Sequence, residues 1–142
     1  MANAESPSAT SSFADFMRQR RPEVARAYVR GDADPLTEVS TTRDPASFFP
    51  PRSGYIEGAE RVIEVNRHGA QQFGPDGETD LEVLHMDEDG DLAYWVGLQH
   101  ATVSVDGRTD KMHLRITELF RREDGSWKLV HRHADPHASP SP

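Results

Sequence analysis

The sequence predicts an α+β fold in which a cone-shaped, curved antiparallel sheet wraps around a long N-terminal helix. Residues 91–135 contain three runs rich in Val, Ile, Thr, Tyr and Trp, separated by Asp106-Gly107 and Asp124-Gly125. Asp-Gly between such runs is the strongest short-range signal of a β-hairpin, because both central residues of a type I′ turn need a positive φ. Helical spacing precedes this β-meander, and helices followed by an antiparallel sheet are typical of α+β proteins.

Three helices are predicted before the meander. Pro22 falls inside the first one, where it favours one bent helix over two separate ones. The third helix ends before Gly74-Pro75, where the chain cannot continue as a helix. The first helix is predicted to begin at Ser11 or Ser12, because Ser is a good cap. The second begins at Asp34-Pro35, since Asp is also a good cap and Pro is tolerated at the first helical position. The third begins at Glu57.

Four to five main strands are predicted to form the sheet. Residues 80–86 alternate in hydrophobicity and lead through an acidic turn into the meander. A short extended segment around Phe48 and Phe49 is the remaining candidate, and these two rings are expected to plug one end of the core. Strands of about 8 to 13 residues exceed the usual length, which implies strong twist or β-bulges. The result is a cone with one closed end and one open mouth.

The turns also predict which side chains share a face of the sheet. A two-residue turn at Asp124-Gly125 places Glu118 opposite His131, on the interior face. A three-residue loop over residues 106–108 then assigns alternate residues of the preceding strand to the same face. The predicted interior set contains Phe120, Leu129, Glu118, His131, Ile116, His133, Tyr94, Val96, Leu98 and His100. The predicted outer set contains Trp95, Leu119 and Val130 among Arg115, Thr117, Arg121, Lys128 and Arg132.

Chain length indicates the number of domains, and net charge limits the classes of binding partner. The chain of 142 residues is predicted to form one domain over residues 11–135, with disordered tails at 1–10 and 136–142. A formal net charge of −8 argues against nucleic-acid or anionic-membrane partners, which reward clustered Lys and Arg. The sequence has no Cys, no signal-peptide pattern and no apolar run approaching a membrane span. A cytoplasmic location is expected.

Four segments resemble known proteins. GDADPL, FFPPRSGYIEG, GDLAYWVG and RITELFRREDGSWKLVHRHAD occur in an order that resembles the SnoaL-like and ketosteroid-isomerase-like branches of the nuclear transport factor 2 superfamily. The resemblance covers roughly residues 12–136. It implies a cystatin-like α+β barrel, a pocket inside the cone and a homodimer formed through the outer face of the sheet.

The end of the chain is also similar to the association domain of calcium/calmodulin-dependent protein kinase II. That domain shares the turn and the W-x-I-V-H-x-H type of strand, and it lines its pocket with arginines for an acidic ligand. The best-matching positions here hold Val96, Glu118 and Ala134. Acidic-ligand binding of that type is therefore not expected from the resemblance.

Glu118 and His131 are the candidate catalytic pair. A carboxylate beside an imidazole in a pocket of low dielectric can shift both pKa values toward neutrality, which suits proton abstraction next to a carbonyl. The alternative is a buried pair that only satisfies its own hydrogen bonds. Tyr94 is a candidate hydrogen-bond donor to a substrate oxygen. The candidate substrate-binding residues are Tyr94, Val96, His100, Ile116 and His133.

No metal or cofactor is predicted. His100, His131 and His133 with Glu118 are the only plausible metal ligands, but their spacing is not distinctive. The sequence has no phosphate-binding P-loop, Gly-rich dinucleotide loop or Gly-x-Ser-x-Gly motif.

The sequence therefore predicts a homodimeric protein with a pocket for a small apolar organic molecule. Cofactor-independent isomerase, cyclase or lyase chemistry on a cyclic or polyketide-like compound is the leading hypothesis. The alternative is a non-catalytic association or ligand-sensing module built on the same cone.

Overall fold

The computed structural model describes residues 12–138, which form three helices packed on one six-stranded sheet. The elements in chain order are α1 (Phe13–Val29), α2 (Asp34–Val39), β1 (Ser47–Phe49), β2 (Ile56–Glu57), α3 (Ala59–Ala70), β3 (Glu78–Asp89), β4 (Leu92–Val105), β5 (Arg108–Glu123) and β6 (Ser126–Pro136). The predicted α+β class and its three helices are confirmed. The sheet gains its extra strands because the short β1 and β2 extend one edge.

The strands lie in the order β2-β1-β6-β5-β4-β3. Strand β1 pairs with β6 in parallel, and the other neighbours are antiparallel. Both predicted Asp-Gly turns are present, and Asp106 and Asp124 adopt φ values of 53° and 52°. These positive φ values are the ones that a two-residue hairpin turn requires, and Asp tolerates them better than most residues.

Helix α1 is a single helix that contains Pro22, as the sequence predicts. The side chain of Ser12 caps it by accepting a hydrogen bond from the Asp15 N–H at 3.1 Å. Its buried face packs on the sheet, where the ring of Phe13 lies 5.1 Å from that of Phe120. Arg21 lies on this same buried face and is only 3% exposed.

A β-bulge in β6 changes the register that the Asp124-Gly125 turn predicts. Phe120 pairs with Leu129 as expected, but Val130 is an extra residue, so that Leu119 pairs with His131 and Glu118 with Arg132. The predicted pairing of Glu118 with His131 is therefore wrong. Side chains alternate between faces, so every residue of β6 after the bulge lies on the face opposite to the predicted one.

The register predicted for β4 is also wrong by one residue. Val105 pairs directly with Arg108 across a two-residue turn, whereas the prediction used a three-residue loop. Trp95 consequently pairs with Glu118 and is fully buried, so it belongs to the interior and not to the outer face. The residues that this slip moves to the outer face are Tyr94, Val96, Leu98 and His100.

The described part of the chain begins at Ser12 and ends at residue 138. The predicted tail at 1–10 and residues 139–142 lie outside the described residues. Pro136 ends β6, and the N–H of His137 donates a hydrogen bond of 2.8 Å to the His113 carbonyl. None of the helices within 12–138 is both long and apolar enough to cross a membrane.

Candidate ligand-binding site

A cavity of about 900 Å³ lies between the helices and the inner face of the sheet. Its size falls within the range of small-molecule sites, which are mostly apolar clefts with a few convergent polar groups. The prediction of a pocket inside the cone rests on the resemblance, and the cavity occupies that position. Apolar wall residues include Val24, Leu36, Val65, Phe73, Val103 and Leu114.

Glu118 has no solvent-exposed surface and is bound by Arg21 and Arg132, which line the cavity. Arg21 binds it in a bidentate manner, with Nε donating to Oε1 at 3.0 Å and Nη2 to Oε2 at 2.8 Å. Trp95 donates its indole N–H to Oε1 at 2.7 Å, and Arg132 Nη1 donates to Oε2 at 2.6 Å. Four short donor contacts thus occupy both carboxylate oxygens from α1, β4 and β6.

The electrostatics of this cluster favour the ionised carboxylate. Burial by itself raises the pKa of Glu118, but the positive charges of Arg21 and Arg132 and their hydrogen bonds outweigh burial and lower the pKa to about 2. Burial lowers the pKa of Arg132, and the charge of Glu118 opposes that effect. Glu118 is therefore a poor proton acceptor near neutral pH, in contrast to the base that the sequence suggests.

Arg132 connects this cluster to the cavity wall. It lines the cavity together with Arg21, and its Nη2 donates to the Gln99 side-chain oxygen at 2.8 Å. Gln99 in turn donates to the Thr79 hydroxyl at 3.1 Å, and Thr79 donates to the carbonyl of His100 at 2.9 Å. This chain of hydrogen bonds fixes the orientation of Arg132 against the wall.

The helices contribute three polar groups to the cavity wall that have no hydrogen-bond partner within residues 12–138. Nη1 of Arg21 is buried and unpaired, as its other nitrogens bind Glu118. The other two groups are the hydroxyl of Tyr28 and the side-chain amide of Asn66. Asn66 is unpaired even though its residue is only 8% exposed. Burial raises the pKa of Tyr28, against the opposing charge of Arg132. Buried polar groups are normally paired, so these groups are available to a bound molecule.

The sequence of this domain matches a known family over most of its length. Residues 18–138 match the model of the SnoaL-like domain. The chain belongs to the SnoaL-like domain family. No similar sequence was found among the curated proteins.

Solved structures similar to this SnoaL-like domain share its fold at low sequence identity. An NTF2-like family protein from Streptomyces avermitilis is 18% identical with a TM-score of 0.73, covering 90% of this chain and 100% of its own. A nuclear transport factor 2 superfamily protein from Salmonella enterica is 15% identical with a TM-score of 0.72, covering 92% and 96%. The hub of calcium/calmodulin-dependent protein kinase II from S. rosetta is 18% identical with a TM-score of 0.68, covering 89% and 98%. The predicted superfamily is confirmed.

The SnoaL-like domain does not bring the two candidate catalytic residues together. Glu118 lies inside the cone, whereas His131 lies on the outer face, where its Nδ1 is 2.8 Å from the Ser47 hydroxyl. Burial lowers the pKa of His131, and the neighbouring charge of His133 adds to this effect. His133 also lies outside, with Nε2 at 3.1 Å from an Asp135 carboxylate oxygen. The hypothetical metal ligands are therefore divided between the two faces of the sheet.

The five candidate substrate-binding residues also miss the cavity, whose lining includes none of them. Tyr94 lies outside, with its hydroxyl 3.1 Å from His85 Nδ1. His100 Nδ1 is 2.9 Å from His113 Nδ1 on the same outer face. Val96 follows the same alternation as Tyr94 and His100. Ile116 is in the interior as predicted, but it is buried in the core.

One signal in the sequence could have identified the residues of the site. Arg21 follows Met17 by four residues and precedes Val24 by three, so it lies on the apolar stripe of the first helix. A charged group on a buried stripe needs a partner of opposite charge. Glu118 was already placed inside the cone, so the two could have been paired. Nothing comparable marks Arg132, whose position depends on the bulge at Val130.

Proposed function

We propose that this SnoaL-like domain binds a small organic molecule with a largely apolar surface in the cavity of the cone. The observation that carries the proposal is a cavity of about 900 Å³ with mostly apolar walls, in which Arg21 and Arg132 from the Glu118 cluster form part of the lining. Because Glu118 is ionised and both its oxygens are already hydrogen-bonded, it is poorly suited to acid/base catalysis. Ligand binding in the cavity is therefore favoured over catalysis by this residue. Isomerase, cyclase or lyase chemistry by Glu118 is thus the less favoured function.

Filling the cavity should weaken the binding of an apolar dye. Phenylnaphthylamine becomes fluorescent in apolar surroundings, and we expect it to bind the wild-type protein. Val65→Trp adds a ring from the half-buried face of α3 into the cavity. Excluding about 50 Å² of apolar dye surface corresponds to roughly tenfold weaker binding, measured by fluorescence titration.

Glu64→Trp is the matched control, because it adds the same side chain to the exposed face of the same helix. Equal dye affinity in Val65→Trp and Glu64→Trp, or no dye binding by the wild-type protein, would contradict the proposal.

We also propose that the outer face of the sheet forms a homodimer. Leu119 is 43% exposed at the centre of this face, and its pairing partner His131 contacts the ring of Phe49, which is 39% exposed. Exposed apolar and aromatic side chains in one row are typical of association surfaces. The similarity to a kinase hub gives the proposal further support, since a hub is an assembly unit.

Leu119→Glu should shift the protein from dimer to monomer, because association would then bury an unpaired charge. We expect the dissociation constant to rise by at least about a hundredfold, corresponding to roughly 3 kcal/mol. Sedimentation velocity over a concentration series measures it. Leu84→Glu is the control, because Leu84 is 60% exposed but lies at the β3 bulge on the sheet edge. A wild-type protein that is already monomeric would show that the proposal is wrong.

A further inference from the structure

We infer that the cavity is built for an organic molecule with a single oxyanion, in the simplest case a carboxylate, which lies against Arg132 and Arg21. This inference rests on the proposed function and specifies the chemistry of the ligand. The apolar body of the molecule would lie against the apolar walls, and its negative charge would face Arg132 and Arg21.

The first argument is the charge balance of the cluster formed by Glu118, Arg21 and Arg132. Two guanidinium groups, those of Arg21 and Arg132, share one carboxylate, that of Glu118. All three side chains are buried or nearly so, with exposed side-chain fractions of 4%, 17% and 0%. The cluster therefore carries one uncompensated positive charge in surroundings where isolated charges are unfavourable. One oxyanion from a ligand would complete the balance.

The second argument is the net positive charge of the side chains that line the cavity. The chain has a formal net charge of −8, yet the cavity is lined by five Arg and Lys side chains and a single carboxylate, that of Asp110. The cationic lining residues are Arg21, Arg52, Arg108, Lys111 and Arg132. A cleft lined by one sign of charge focuses the electrostatic potential and raises the local concentration of ligands with the opposite charge.

The third argument is the supply of unused donors. Nη1 of Arg21 is buried without a partner, and the Tyr28 hydroxyl and the Asn66 amide lie on the same cavity wall. An oxyanion has several acceptor positions and can satisfy more than one such donor. These residues differ in position from the arginines of the kinase association domain, whose counterparts here are Val96, Glu118 and Ala134. The cationic end of this cavity is thus formed by other parts of the chain.

Two dyes with the same apolar body test the inference. Anilinonaphthalene sulfonate carries one negative charge, and phenylnaphthylamine is its neutral counterpart. We expect the wild-type protein to bind the sulfonate about 10- to 100-fold more tightly, as one charge-assisted contact would give. Naphthoate should displace the sulfonate dye at concentrations at which naphthylmethanol does not.

Arg132→Gln should bring the ratio of the two dissociation constants close to one, because it removes the excess charge while Arg21 and Trp95 still bind Glu118. The matched control is Arg115→Gln, which removes an arginine paired with Asp135 and 63% exposed. Arg108 and Lys111 are exposed residues of the cavity lining, and the double substitution Arg108→Gln and Lys111→Gln is called the rim variant. If Arg132→Gln does not fold, the rim variant tests the positive electrostatic potential of the cavity. It should slow association of the sulfonate dye and leave that of the neutral dye unchanged.

Each outcome separates this inference from the proposed function. Equal affinity of the wild-type protein for both dyes would overturn the anion site and leave the apolar cavity intact. Absence of binding by either dye would overturn the proposed function together with this inference. A preference for the sulfonate that persists in Arg132→Gln, or association of the sulfonate dye that is unchanged in the rim variant, would place the anion elsewhere and overturn the inference.

Discussion

Replacing Glu118 with Gln should lower the free energy of unfolding by about 3 to 5 kcal/mol, the usual cost of breaking a buried ion pair. The amide keeps the size of the side chain but removes its charge, and it leaves Arg21 and Arg132 close together without a counterion. Trp95 would also lose a charged acceptor for its indole N–H. Urea unfolding followed by circular dichroism measures the change.

Glu78→Gln provides the control for this experiment. Glu78 is bound by Arg30 at 2.8 Å, but its side chain is 71% exposed. Exposed ion pairs contribute about 1 kcal/mol or less, so the control should lose little stability. A Glu118→Gln protein as stable as the wild type, or more stable, would mean that the carboxylate is strained in the folded state. Such a result would return Glu118 to consideration as a functional group.

Acid should destabilise the wild-type protein through the same residue. The pKa of Glu118 is about 2 in the folded protein, below its ordinary value of 4.5. A carboxylate with a depressed pKa stabilises the folded state above its unfolded pKa, and this contribution is lost as the pH falls through the folded pKa. The difference corresponds to about 3 kcal/mol, which should disappear between about pH 5 and about pH 2.

The comparison of wild-type and Glu118→Gln proteins isolates this effect. Glu123 also has a lowered pKa, and it titrates in both proteins. The Glu118→Gln protein should therefore lose less stability on acidification, by about the same 3 kcal/mol. Urea unfolding at several pH values measures both slopes. Parallel slopes in the two proteins would show that Glu118 is not held ionised by Arg21 and Arg132.

Local signals in the sequence predicted the helices and turns because local chemistry determines them. Ser12 caps the first helix, Pro22 is accommodated inside it, and both Asp-Gly pairs lie in turns between strands. These features depend on residues within a few positions of each other. Fold class followed from the order of such elements, since helices and a sheet with one apolar face each must pack together.

The register of the sheet was predicted less well, and the candidate site with it. For β4 the error was the choice of a three-residue loop, since the two-residue turn used for the last hairpin would have placed Trp95 and Gln99 inside. For β6 the cause is the bulge at Val130, which no residue type in the local sequence marks. A bulge is decided by how neighbouring strands and helices fit together, and here it brings Arg132 within 2.6 Å of the Glu118 carboxylate.

The single extra residue at Val130 determines which side chains of the last strand line the cavity. Beyond that point, the side chains of β6 exchange faces without any change in their identity. Regular pairing of Val130 with Leu119, with no bulge, would turn His131 and His133 inward and Arg132 outward. Insertion of one residue after the bulge, or loss of the bulge with every residue kept, could therefore convert a cationic cavity into an imidazole-lined one. Such a change offers a short evolutionary path between different ligands on the same scaffold.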